Sequence, residues 1–440
     1  MKILFLCNKS PWPPKEGGPM AMNMLIEGLL FAGHHVKVLA VNSYKYHIVL
    51  DDIPVSYREK TGIELIEVDL RLKPIHAFVN LFSTDSYHVK RFISENFRKR
   101  LTAVLKLCEY DVVQMETLFM CPYIDTIRQY SKARIVLRAH NIEHRIWQRI
   151  ADETQNPLKK WYISHLAGTL KNFEENVVFD CDGILAITPT DAEYFKGLAK
   201  IQYQRKCNLQ HAKLPHSSIP ASQHSNIPAF LHSSIPAFPH SCIPVIDLPF
   251  GVDPENHPLS PAEVEFPSLF SLGSMNWIPN AEGIRWFLQN VWPDVHKQFP
   301  NLKYYLAGRE MPGWMRHLSL PNVIVLGEVT DAKVFLASKA IMIVPLFSGS
   351  GIRIKIIEGM AAGKTIISTS LGAEGIRYTN HENILIADAP CEFFEMISIC
   401  VANKALFAKI GKQARTLIKT HYLPQNLIQN LLAFYQQLLG

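Results

Sequence analysis

Residues Phe347–Ile376 read FSGSGIRIKIIEGMAAGKTIISTSLGAEGI and follow the apolar run IMIVPL, Ile341–Leu346. The pattern predicts a buried strand, a glycine-punctuated loop, an amphipathic helix, a tight turn and a second strand at Lys364–Thr369. A loop of this kind before a helix gathers backbone N–H groups into a site for anions and hydroxyls. Gly351, Lys355 and Glu358 recur at i, i+4 and i+7, which predicts one helical face turned toward whatever the loop holds. A cation and a carboxylate behind backbone amides suit a nucleotide diphosphate with sugar hydroxyls attached. Gly349, Ser350 and Ile352 belong to the same predicted cradle, and Arg353 adds a second cation. A plain surface pair of Lys355 and Glu358, worth about 0.2–0.5 kcal/mol, would explain those two residues but not the glycines.

Two look-alikes fail on their order. EGMAAGKT ends like a phosphate-binding P-loop, but Glu358 stands at its first glycine and a helix precedes GKT where a strand belongs. GSGIRI begins like a dinucleotide fingerprint, with Ile354 in place of the third glycine.

At 440 residues the chain exceeds one ordinary core, and two domains are expected. In the first half KILFLC, VKVLAV, IELIEV, YDVVQME, RIVLRAH and DGILAIT alternate with helical or irregular stretches. LFSLGS, LKYYLAG, NVIVLG and IMIVPLF repeat the plan in the second half. Apolar strands alternating with helices predict α/β architecture: two Rossmann-like, doubly wound parallel sheets facing across a cleft, with ligand loops at the C-terminal strand ends. The expected boundaries are 1–204 for the first domain, 245–418 for the second and 419–440 for an amphipathic C-terminal helix. Between the domains, 205–244 is read as a low-complexity insertion. Four octads there keep His216, His224, His232 and His240 in register, with Ser and Pro neighbours that preform no metal geometry.

The net charge of +6 is modest and spread along the chain, which argues against a nucleic-acid binder. Eight cysteines without a C-x-x-C pair predict reduced thiols and a cytoplasmic protein. The start, MKILFLCNKSPWPP, predicts a first strand rather than a signal peptide. No apolar run is long enough to span a bilayer, so any membrane contact is expected to be peripheral.

The RIKIIEGMAAGKTIISTSLGAEGI run resembles the donor site of glycosyltransferase family 4, whose enzymes have the GT-B fold. Many members carry two glutamates eight positions apart. Glu358 stands at the second place and Ser350 at the first, as in a branch that lacks the first carboxylate and in which polysaccharide-building enzymes are common. The resemblance implies sugar transfer from a UDP-, GDP- or dTDP-linked donor to a glycan or lipid-linked acceptor, with retention and no obligatory metal or other cofactor. A sugar-nucleotide epimerase or hydrolase, or an inactive nucleotide-sugar-binding subunit, remains open as an alternative.

Resemblance also assigns positions outside the opening stretch. His140, in HNIEH at a strand end, stands where relatives contact the donor sugar. Gly17 and Gly18 lie in a loop near donor phosphate and acceptor, and Ser274 and Asn276 lie in a further nucleotide loop. The basic pair common near that loop is missing, so Arg309, Arg353 or Lys355 is expected to supply its charge. From position alone, Glu374 in the GAEGI turn of the opening stretch reads as a further nucleotide contact or as part of a tight surface turn, and Glu116, ending YDVVQME, is expected to point toward the cleft. For Glu116 an acceptor-orienting role, a base and a structural cap all stay open.

Overall fold

The continuous apolar runs become parallel strands, because a strand covered by helices on both faces has no polar side to present. In the computed structural model, residues 1–73, 80–81, 83–212, 243–257, 264–349 and 351–440 are described, with 202–212 as backbone only. Ser350 and the histidines of the octads lie outside the described residues. The first sheet holds β1 (Lys2–Cys7), β2 (His35–Asn42), β3 (Glu64–Glu67), β4 (Val112–Glu116), β5 (Arg134–Ala139), β6 (Gly183–Ala186) and β7 (Val245–Asp247). Their order is β3-β2-β1-β4-β5-β6-β7. The second sheet holds β8 (Glu265–Leu272), β9 (Lys303–Ala307), β10 (Val323–Gly327), β11 (Lys339–Val344), β12 (Thr365–Ser368) and β13 (Leu385–Ile386), ordered β10-β9-β8-β11-β12-β13. All named pairings are parallel. The expected pair of doubly wound sheets is therefore borne out.

Three local readings change. Val245–Asp247, read as the start of the second domain, pairs with β6 as the edge strand of the first sheet. The strand in IMIVPLF stops at Val344, because Pro345 has no N–H to give to the ladder. The helix after the glycine loop runs from Ile354 to Ala361, so Gly351 is not on it. Gly351 has φ +80°, a left-handed conformation that a helix excludes and that glycine accepts at little cost. Lys355 and Glu358 do share that helix, at i and i+3.

Helices bury both faces of each sheet. One face of the first domain gathers Leu4, Val113, Ile135 and Ile184, and the other gathers Ile3, Phe5, Val136 and Leu185. The second face also receives the last helix, Pro424–Leu439, whose Leu427, Ile428, Leu431, Phe434, Tyr435 and Leu438 are buried there. The chain thus leaves the second domain and ends on the first. Contact is close: Ile428 packs where a Cβ at Gly28 would sit, and a Cβ at Gly183 would lie 2.7 Å from Phe434 Cζ.

Phe434→Ala removes a ring that is 3 % exposed and should cost about 3–5 kcal/mol of stability. Urea unfolding is the measurement, and hydrogen exchange should show protection lost first along Pro424–Leu439.

Candidate active site

Each sheet reverses its strand order once, between β1 and β4 and between β8 and β11. A crevice opens at the C-terminal ends of the strands at such a point, because the neighbouring loops leave in opposite directions. The segments of greatest interest start there: Gly17 and Gly18, the first residues of the helix Gly17–Phe31 beyond β1, Glu116 at the end of β4, 273–277 after β8, and 347–349 with Gly351 after β11.

In the second domain the two loops touch. A Cβ at Gly349, which has φ +101°, would lie 2.7 Å from Trp277 Cζ2, so the indole needs the bare backbone there. The Arg353 guanidinium lies 5.3 Å from the same ring and is buried. It also donates to the Gly351 carbonyl. Burial lowers its pKa to about 10, against the pull of Glu374, so it stays charged at neutral pH. Lys355 Nζ donates to Asn280 Oδ1 at 2.7 Å, and Asn280 Nδ2 donates to the Ser274 carbonyl at 2.8 Å. Although part of the Lys355 side chain is accessible, burial is the main cause that lowers its pKa to about 7, with Arg353 adding repulsion. A cation in that position gains from an incoming anion. Glu358 is partly buried and its pKa is raised by burial, against the opposing charge of Lys333.

A cleft of about 800 Å³ runs between the domains, lined by Lys9, Trp12, Gly17, Ser274, Trp277 and Arg309, among others. Gly17, Ser274, Asn276 and Arg309, assigned separately by sequence, thus meet on one cavity. Asn276 Nδ2 donates to Glu310 at 2.8 Å and its Oδ1 accepts from Ser274 Oγ. Gly18 borders the same cleft: a Cβ there would lie 3.3 Å from Lys9 Cε. Trp12 both lines the cleft and packs on Tyr57, 5.3 Å between ring centroids. The domains are close enough that a Cβ at Gly17 would lie 3.1 Å from Ile354, and one at Gly351 3.2 Å from Asn141 Oδ1. Ile352 is partly buried against the second-domain core.

Two acidic residues singled out by sequence have partners that the chain alone does not reveal. Glu374 is held in a bidentate pair with Arg149 of the helix Glu143–Glu153, at 2.6 and 3.0 Å, and Arg149 also donates to the Gly349 carbonyl at 3.2 Å. That pair spans the domains and engages both carboxylate oxygens of Glu374. Glu116 is wholly buried rather than aimed into the cleft, and its Oε2 lies 2.6 Å from His140 Nε2. His144 is likewise engaged, with Nδ1 2.6 Å from Glu174. Among the described residues no group of acidic, histidine or cysteine side chains is arranged to hold a metal ion.

Lys9, Asn280 and Arg149 are site residues that sequence reading missed. Lys9 follows β1 by two residues, a usable signal at a strand end. Asn280 reads as an ordinary helix-start amide, and Arg149 as part of a solvated helix face.

Residues 267–403 match the family model described as glycosyl transferases group 1. The chain is 23 % identical over 432 residues to an uncharacterized 44.6 kDa protein in the cps region of Klebsiella pneumoniae, covering 96 % of each. Among solved structures it is similar to sucrose-phosphate synthase from Thermosynechococcus elongatus, with TM-score 0.61, 14 % identity and coverage of 100 % and 99 %. HepE of Anabaena in complex with UDP gives 0.58 at 12 % identity, covering 99 % and 100 %. TarM gives 0.59 at 11 % identity, covering 99 % of both. Its architecture is therefore GT-B. The fold is thus shared with these structures along the whole chain, and the match to glycosyl transferases group 1 falls within the second domain.

The Lys355 pKa has a consequence for stability. A lysine whose folded pKa falls to about 7 binds fewer protons folded than unfolded between there and its ordinary value. Stability then rises with pH across that window, and the full burial cost is present below it. Lys355→Met should therefore raise the melting temperature at pH 6, by on the order of 2 kcal/mol of stability, and by much less at pH 10.

Proposed function

We propose that the protein transfers a sugar from a nucleotide-sugar donor to a glycan or lipid-linked acceptor, with retention at the anomeric carbon. The observation that carries this reading is the pair of cations, Arg353 and Lys355, set behind the glycine loop at the β8/β11 crevice and joined through Asn280 to the Ser274 loop. Supporting it, HepE has been crystallised with UDP-glucose, and trehalose-6-phosphate synthase of E. coli with UDP-2-fluoro glucose. The cps-region relative favours an acceptor in surface polysaccharide synthesis.

In this reading the diphosphate lies against Arg353, Lys355 and the amides about Gly351, with Arg309 and Lys9 lending charge from the cleft walls. Glu358 binds the ribose hydroxyls and His140 meets the sugar. The bond from C1 to the phosphate oxygen breaks, its electron pair leaving on the diphosphate, while the acceptor oxygen bonds to C1 from the same face. The acceptor hydroxyl proton passes to the departing phosphate oxygen. Fixed cations and amides stabilise the charge that accumulates there, and the closed cleft keeps water from competing. The protein works without a resident metal or other cofactor, and any membrane contact is peripheral. No helix among the described residues is long and apolar enough to cross a membrane.

A thermal-shift series with UDP, GDP, dTDP and their sugars identifies the donor, since a ligand selective for the folded state raises its melting temperature. Lys355→Ala and Glu358→Ala should abolish transfer while circular dichroism stays that of the wild type. Wild-type turnover in both would overturn the site.

A further inference from the structure

Glu116 ends β4 with none of its side chain exposed, and Thr117 after it has φ +78° and ψ 157°. Such a backbone is strained for a non-glycine residue and persists only where its surroundings hold it. Here the Thr117 N–H bonds the Arg138 carbonyl of β5 at 3.0 Å. The strained strand end sets Glu116 against three partners. Oε2 lies 2.6 Å from His140 Nε2 and 3.6 Å from Arg138 Nη1, which is equally buried. Oε1 accepts from the Gln114 amide at 2.5 Å, and Gln114 Oε1 in turn accepts from the hydroxyl of Tyr435. Gln114 and Tyr435 are also fully buried. An unbroken line of hydrogen bonds thus runs from the last helix, through the floor of the first sheet, to a partly exposed histidine ring just beyond the end of β5.

We propose that Glu116 is a positioning residue that holds the His140 ring with its proton on Nε2, and that Gln114 and Tyr435 orient the carboxylate for this task. Nδ1 is then left as an acceptor for a hydroxyl of the donor sugar. The assignment rests on the reading of His140 as the sugar-contacting residue. Burial alone would raise the Glu116 pKa, but Arg138, His140 and Gln114 together outweigh it and lower the value. The group is therefore a carboxylate at neutral pH, and the hydrogen in its contact with His140 belongs to the ring. Because His140 keeps 14 % of its side chain exposed and Glu116 none, substrate can reach the ring but not the carboxylate. This removes Glu116 as a base for the acceptor. The partner of one ring nitrogen determines what the other can do.

Glu116→Gln separates the outcomes. Gln114 donates to the oxygen of the new amide, so its NH2 faces His140 Nε2, which must then accept and move the ring proton to Nδ1. Long-range 15N–1H spectra of histidine-labelled protein, assigned with His140→Ala, should show Nε2–H in the wild type and Nδ1–H in Glu116→Gln. With UDP-glucose as the probe, UDP release should fall by about 10–100-fold in kcat while KM changes less than about twofold. Tyr435→Phe, which deletes only the far hydroxyl, should keep Nε2–H but broaden the His140 signals and lower kcat severalfold. A wild-type ring protonated on Nδ1, an unchanged tautomer in Glu116→Gln, or unchanged turnover after the switch overturns the proposal. If Glu116→Gln does not fold, the wild-type spectrum and Tyr435→Phe still decide it. Should the wild type release no UDP from any donor, the transferase reading fails on that result, whereas the tautomers stand or fall on the spectra.

Discussion

Burial of the last helix on the first domain is the constraint from which the rest of the architecture follows. Six apolar side chains of Pro424–Leu439 are lodged against that domain although the helix is reached from the second. Each domain is thereby committed to the other, and the two crevices made by separate reversals of strand order are brought face to face. The Arg149–Glu374 pair adds a polar clasp on the opposite side of the opening. Both partners remain about two-fifths exposed, and ion pairs of that kind contribute less than about 1 kcal/mol. Apolar packing therefore contributes more than the ion pair to holding the domains together.

Within the opening, charge is distributed by burial. Arg353 and Lys355 lie where water is scarce, and burial lowers the pKa of both, leaving Arg353 charged at neutral pH and Lys355 at about 7. Arg309 is exposed on the cleft wall, and Lys9, partly buried, is paired with Glu16 at 2.8 Å. In the first domain the His140 ring is backed by the wholly buried Glu116.

Much of this was legible in the chain. KILFLC and IMIV could hardly be anything but doubly covered strands, and their alternation with helices led directly to two parallel sheets. The glycine loop announced an anion site because Gly349 and Gly351 permit a backbone other residues avoid. Three things were illegible for physical reasons. Val245–Asp247 is three residues long, too short to reveal which sheet it joins. The ion pair of Glu374 could not be foreseen because its partner Arg149 lies 225 positions away. Glu116 looked like a cleft carboxylate because the arginine, glutamine and tyrosine that enclose it come from β5, β4 and the final helix.

The sheet margins carry one more implication. β7 pairs through three residues and β13 through two, so at these rims the ladder of unsatisfied amides is almost nil. A long, straight, uncovered margin would invite another molecule to add its own strand, the usual start of fibrous association. With strand interiors as greasy as KILFLC and IMIV, abbreviated rims let the chain keep such hydrophobic ribbons without polymerising through them.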